Sequence, residues 1–278
     1  MIRRVANERA IDIFQRQLGT LPMNRYESTA FTTAIDGLRT LLSARDRLDE
    51  LRDKIPQVNV ELSTSYKLRT GDQRELFRLT SSFFADFYSA VSAISGVVAR
   101  FSTTFKVNYS DNGPFLRWAH ESLDLPGAVF EELDRARQFR ALLSHPQQFP
   151  PYEWATVTTA RDPLIHITLY GPFGRGKNPV PAGATTDHPH ADRMPDWQFG
   201  APDEVSVANC VCSLAGTIFA EILVARSTSS SFVRPVRRDE ALARVMPLEA
   251  DFGWEARQSR SWFNTDSLPP ASNTRPWQ

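Results

Sequence analysis

A chain of 278 residues is long enough to bury a sizeable core. With 32 basic and 32 acidic side chains its formal charge is zero, which excludes a protein that coats nucleic acid by global charge, though not one with a local basic patch. Two cysteines exclude a disulfide framework, and Cys210 and Cys212, two apart in an apolar helical segment, point to nearly opposite sides, so no shared metal is expected of them.

The basic side chains are 28 arginines against four lysines, Lys54, Lys67, Lys106 and Lys177. Arginine grips phosphate through a planar fork that lysine lacks. The basic start of the chain leads into no continuous apolar region, and no run reaches the roughly 18 apolar residues of a membrane span. The expectation is a cytoplasmic protein with no membrane partner.

In chain order, residues 5 to 20 carry Ala6, Ala10, Ile13, Phe14 and Leu18 at helical spacing, ended near Gly19 and Pro22. Residues 27 to 55 repeat Phe31, Ile35, Leu38, Leu42, Leu48, Leu51 and Ile55, and Pro56 stops them; the polar face, dense in Arg, Asp and Glu, reads as solvated and supported by ion pairs. Val58, Val60 and Leu62 then alternate with polar residues, predicting a short strand or extended linker. From Gly71 the strongest helix follows, with Leu76, Leu79, Phe83, Phe87, Val91, Ile94, Val98, Phe101 and Phe105 in one stripe. A stripe this long needs a long partner, supplied by the 27 to 55 helix or by a second subunit.

A loop is expected at 108 to 113 and a short helix at 114 to 124, with His120 packing or capping it. Pro126 suits the first turn of the next helix, whose inner line is Val129, Leu133, Ala136, Arg140 and Leu143. After Pro146, Pro150 and Pro151 two β-prone runs, 154 to 159 and 164 to 170, predict a hairpin. Residues 171 to 203, rich in Gly, Pro and Asp, predict a long loop; Asp203 and Glu204 cap a helix from 204 to 225 that is apolar almost all round and therefore buried. Residues 226 to 278 read as an irregular tail. The segmentation is thus an N-terminal helical region at 1–56, a helical core at 70–225 interrupted by the hairpin and Pro/Gly-rich loop at 150–203, and the tail at 226–278.

Chemistry has few places to live. Gly174 to Lys177 lies between prolines and leads into no helix, so it makes a weak phosphate loop. Asp187, His188, His190 and Asp192 have metal-ligand types in a Pro/Gly loop, which leaves a metal or small-ligand site there as one alternative. Arg140 and His145 are the other candidates. Arg140 sits on an apolar helix line with no acid three or four residues away, so its counter-charge must come from another helix such as the one bearing Asp86, from a second subunit, or from a ligand phosphate. His145 follows at the end of the same helix, where the dipole favours a charged imidazole; a plain C-terminal capping role is the other reading. Arg161 and His166 repeat the spacing, but Pro163 between them rules out a helical version.

Arg140 and His145, in Arg-x4-His spacing on a helix ended by Pro146 and in a mainly helical chain, resemble the HEPN superfamily. The resemblance covers at most residues 70 to 225. It implies a mainly α fold, a HEPN-like antiparallel helical bundle with long helices, here with a small β-hairpin insertion. It also implies a metal-independent endoribonuclease of toxin–antitoxin or phage-defence type. Such a protein needs no cofactor or metal, acts on RNA as a homodimer, and can be held by an antitoxin or regulatory partner protein. On that resemblance Arg140 steadies the scissile phosphate and His145 handles the proton of the attacking 2′-hydroxyl or leaving oxygen, with Asp86, Arg137 and Ser144 in support. Ala141 departs from the polar residue, commonly Asn, that many members carry there. The alternative is a catalytically inactive helical module for self-association or for holding a partner.

Overall fold

The computed structural model describes residues 2–55, 70–144, 153–159, 162–171, 183–185, 197–228 and 235–245. Eight helices and three strands are found among them: α1 (Ile2–Leu18), α2 (Arg25–Lys54), α3 (Thr70–Arg100), α4 (Ser102–Phe105), α5 (Asn112–Leu123), α6 (Gly127–Ser144), β1 (Glu153–Thr159), β2 (Asp162–Gly171), β3 (Trp197–Gly200), α7 (Glu204–Thr228) and α8 (Arg238–Val245). The protein is mainly helical with one small antiparallel sheet. The expected extended stretch at 57 to 68 lies outside the described residues.

The long stripe of α3 finds its partner within the chain. Residue 37 of α2 meets residue 90 of α3 while Arg47 reaches Asp86, so the two helices run antiparallel. The start of α2 is fixed by a reciprocal cap: Asn24 Oδ1 accepts from the Glu27 amide, and the Glu27 carboxylate accepts from the Asn24 amide. The close approach depends on Gly37, where an added Cβ would stand 3.3 Å from the Ala90 Cα. Gly96, further along α3, has open space around it. Gly37→Leu is therefore expected to destabilise by about 1–3 kcal/mol through overpacking. Gly96→Ala should stabilise by about 0.5–1 kcal/mol by restricting the unfolded chain. Thermal melts of the two variants check both signs.

The expected last core helix is α7, which packs against every other helix. Asp203 caps it, its carboxylate accepting from the Ser206 amide at 3.1 Å. Cys210 and Cys212 are both buried along it, as an all-round apolar helix requires. Burial pushes both thiols up, Cys212 to about 12, so neither is a reactive thiolate. By length and hydropathy α3 and α7 both pass as candidate membrane spans, at variance with the expectation that no segment would. In this fold 78% of the α7 window is covered by the other elements.

Two expectations are corrected. The polar face of α2 is partly a buried charged face. Arg45 is 2% exposed and Glu27 5%, the latter paired with Arg226. The stretch after 226 is not wholly irregular: α7 runs on to 228 and α8 follows. The helix α8 is held by Arg238, which donates to Glu221, to Asp124 and to the Leu123 carbonyl.

The buried residues form one continuous core from Ala10 to Val245, so α1 and α2 share it with the elements of the 70–225 region.

The hairpin is present as β1 and β2, and β3, which the loop reading missed, pairs antiparallel with β2. Trp154, Leu169 and Phe199 stand opposite one another across the three strands, so they share a face. Trp154 stacks on Phe77 of α3, centroids 4.5 Å apart, and Phe199 meets Phe139 of α6 at 5.4 Å. Gly171 is required beside Trp197, since a Cβ there would lie 2.7 Å from the indole.

Candidate functional site: the junction of α3, α5 and α6

The helix α6 starts where the sequence places it, with the amides of Val129 and Phe130 donating to the Pro126 carbonyl. His120 fixes the turn before it. Its ring stacks on Phe130 at 5.0 Å, and its Nδ1 donates to the Leu125 carbonyl at 2.7 Å. A carbonyl can only accept, so Nδ1 carries the proton. The expected packing role of His120 agrees with this geometry.

The inner line of α6 is Val129, Leu133, Ala136, Phe139 and Leu142. It differs at its end from the expected line through Arg140 and Leu143, because Phe139 is what fills the space between Phe84 and Phe199. Arg140 is consequently half-buried at the border of the line, turned toward α3. Its guanidinium carbon stands 4.2 Å from the centre of the Tyr88 ring. This is a close cation–π contact.

Tyr88 is itself anchored to α5. Asn112, 4% exposed, donates through Nδ2 to the Tyr88 carbonyl at 3.0 Å and accepts from Ser92 Oγ at 3.1 Å. Arg137, one turn before Arg140, reaches the same junction. Its guanidinium carbon lies 3.5 Å from the point a Cβ on Gly113 would occupy. Asp134 accepts from Arg137 at 2.8 Å and from Gln138 at 2.5 Å. Arg137 thus lies beside the start of α5, which the Asp111 carboxylate caps by accepting from the Gly113 amide at 3.4 Å, while Arg140 lies over Tyr88.

The remaining named residues fall elsewhere. Asp86 is about 200° around α3 from Tyr88, on the α2 side. It faces Arg47 at 4.0 Å, away from the Arg140 junction. Ser144 is the exposed last residue of α6, about 6 Å along the axis from Arg140. His145 lies outside the described residues, as do His188 and His190. Among the described residues no group of three His, Cys, Asp or Glu side chains could hold a metal.

Burial pushes the Asp86 carboxyl above its ordinary value of 3.8, and Arg47 pulls it part-way back. A raised acid stabilises the fold fully below the unfolded value, and that contribution is lost as pH rises through the folded pKa. Asp86→Asn should remove this slope, leaving the variant as stable as the wild type or more so at about pH 7 and relatively weaker at about pH 4. Melting temperatures at the two pH values test it; a marked loss at neutral pH would mean the Arg47 pair outweighs the burial cost.

Tyr88, Asn112 and Gly113 were not foreseen. A signal existed: Phe77, Phe84 and Tyr88 lie seven and eleven positions along α3, a second apolar line beside the long stripe.

Comparison with protein families finds no match for this chain, and comparisons with curated proteins and with solved structures find none either.

Proposed function

We propose that the chain is a metal-independent endoribonuclease of toxin–antitoxin or phage-defence type, with a HEPN-like core, acting on RNA as a homodimer in the cytoplasm. The observation that carries this is the position of Arg140. It stands one turn before the end of α6, stacked on Tyr88, and Arg137 one turn earlier lies beside the start of α5. A guanidinium held by its face recognises phosphate through its edge, and a phosphorane-like transition state gains most from a cation that need not reorganise. His145, the next residue after α6, supplies the proton transfer: it takes the proton of the 2′-hydroxyl as that oxygen attacks phosphorus, and a proton is returned to the departing 5′-oxygen.

The test is cleavage of varied single-stranded RNAs by the purified full chain in EDTA. Cleavage lost on Arg140→Ala supports the reading; RNA left intact by the wild type removes it.

A second reading, a catalytically inactive module for self-association or partner binding, is favoured by the arrangement of the acids. Asp134 is shared between Arg137 and Gln138, so the acid of the junction serves structural contacts. A wild-type chain that dimerises or captures a partner while leaving every RNA intact supports it.

A further inference from the structure

We infer that Tyr88 is the positioning residue for Arg140: the tyrosine ring holds the guanidinium plane in the orientation from which it engages an RNA phosphate. The inference rests on the ribonuclease reading above. Arg140 is on the border of the α6 inner line, and a long side chain there has several rotamers to choose from. The ring 4.2 Å beneath its guanidinium carbon selects one. A cation over an aromatic face gains about 0.5–2 kcal/mol, more as water is excluded, which restricts the arginine without consuming its in-plane donors.

Tyr88 can serve as a platform because its own place is fixed three ways. It follows Phe84 by one turn on the α3 face that meets α6, where Phe84 and Phe139 rings stand 4.8 Å apart. Its carbonyl accepts from the buried Asn112. Asn112 is held in turn by Ser92, one turn further along α3, and opens α5. A shift of α3 against α6 would therefore move the ring relative to the helix that carries the arginine. The ring contributes its face, so the phenol oxygen is not needed for this role.

The distinguishing experiment compares Tyr88→Phe, Tyr88→Leu and Tyr88→Met with wild type and Arg140→Ala in the full chain. It measures steady-state cleavage of a single-stranded RNA together with the Arg140 Hε resonance. Phenylalanine keeps the ring, so kcat should stay within about threefold, whereas leucine and methionine should lose about 10–100-fold in kcat with little change in KM. The Arg140 resonance should be displaced by ring current in wild type and Tyr88→Phe and return toward the free-arginine position in the other two. Tyr88→Met is included because its flexible thioether fills the volume should leucine unfold the chain. Full kcat in Tyr88→Leu or Tyr88→Met beside an inactive Arg140→Ala overturns the role of Tyr88 and leaves the ribonuclease reading standing. No cleavage by wild type, with the Arg140 resonance displaced all the same, overturns the ribonuclease reading and with it the catalytic role given to the ring.

Discussion

Arg52→Ala is expected to lower stability by about 3–5 kcal/mol, the cost of removing one partner from a buried ion pair. Arg52 is 9% exposed and Glu204 1%, and Arg52 Nη2 donates to both carboxylate oxygens at 2.8 and 2.9 Å. Arg52 Nε also donates to the Ile165 carbonyl at 3.3 Å. One guanidinium thus joins the end of α2, the middle of β2 and the first residue of α7. Alanine leaves a carboxylate buried without its cation and a carbonyl without its donor. For a chain of this size the thermal midpoint should fall by on the order of 10 °C. The pair need not be worth that much in itself. Replacing both partners by leucine should recover most of the loss, because the large cost lies in the orphaned charge. A drop below about 1 kcal/mol for Arg52→Ala would mean that water reaches Glu204 and the pair behaves as a surface bridge.

The second large effect is on chemistry. Under the proposed function Arg140→Ala should reduce RNA cleavage by about 100- to 1,000-fold, the range for deleting one preorganised group from a charged transition state. The fold should survive, since the lost cation–π contact contributes only about 0.5–2 kcal/mol. Arg140→Lys keeps the charge but not the flat fork, and should recover only part of the activity. Single-turnover cleavage rates measured beside circular dichroism melts separate the two effects. Equal activity in wild type and Arg140→Ala would remove the residue from the reaction.

Periodicity carried most of the architecture. The stripe of α3, the amphipathic α2 and the all-round apolar α7 are each long enough for period alone to declare them. The elements that escaped are short. In β3 the four residues from Trp197 to Gly200 alternate in burial over too few positions to stand out from a Gly- and Pro-rich neighbourhood. In α8 the buried residues are Ala241 and Val245, a single i, i+4 pair among charged neighbours.

The buried charges escaped for a different reason. Arg45 and Arg52 occupy the polar face of α2, and only tertiary packing against the sheet and α7 decides which part of that face is dry.

The junction was half legible. Arg140 stood out because its helix offers no acid at ion-pair spacing. What its guanidinium faces depends on how α3 and α6 cross, and the answer is a ring, Tyr88, rather than the carboxylate of Asp86. The expected inner line of α6 was one residue off because Phe139, not Arg140, fills the layer between α3 and the sheet.

The central claim is that the end of α6 cleaves RNA through its own 2′-hydroxyl. Analysis of product ends after incubating the full chain with labelled single-stranded RNA in EDTA tests it most directly. Wild type should yield 2′,3′-cyclic phosphate and 5′-hydroxyl ends, and His145→Ala, folded to the same melting temperature, should yield none. Intact RNA with wild type, or the same cyclic-phosphate ends from His145→Ala, would contradict it.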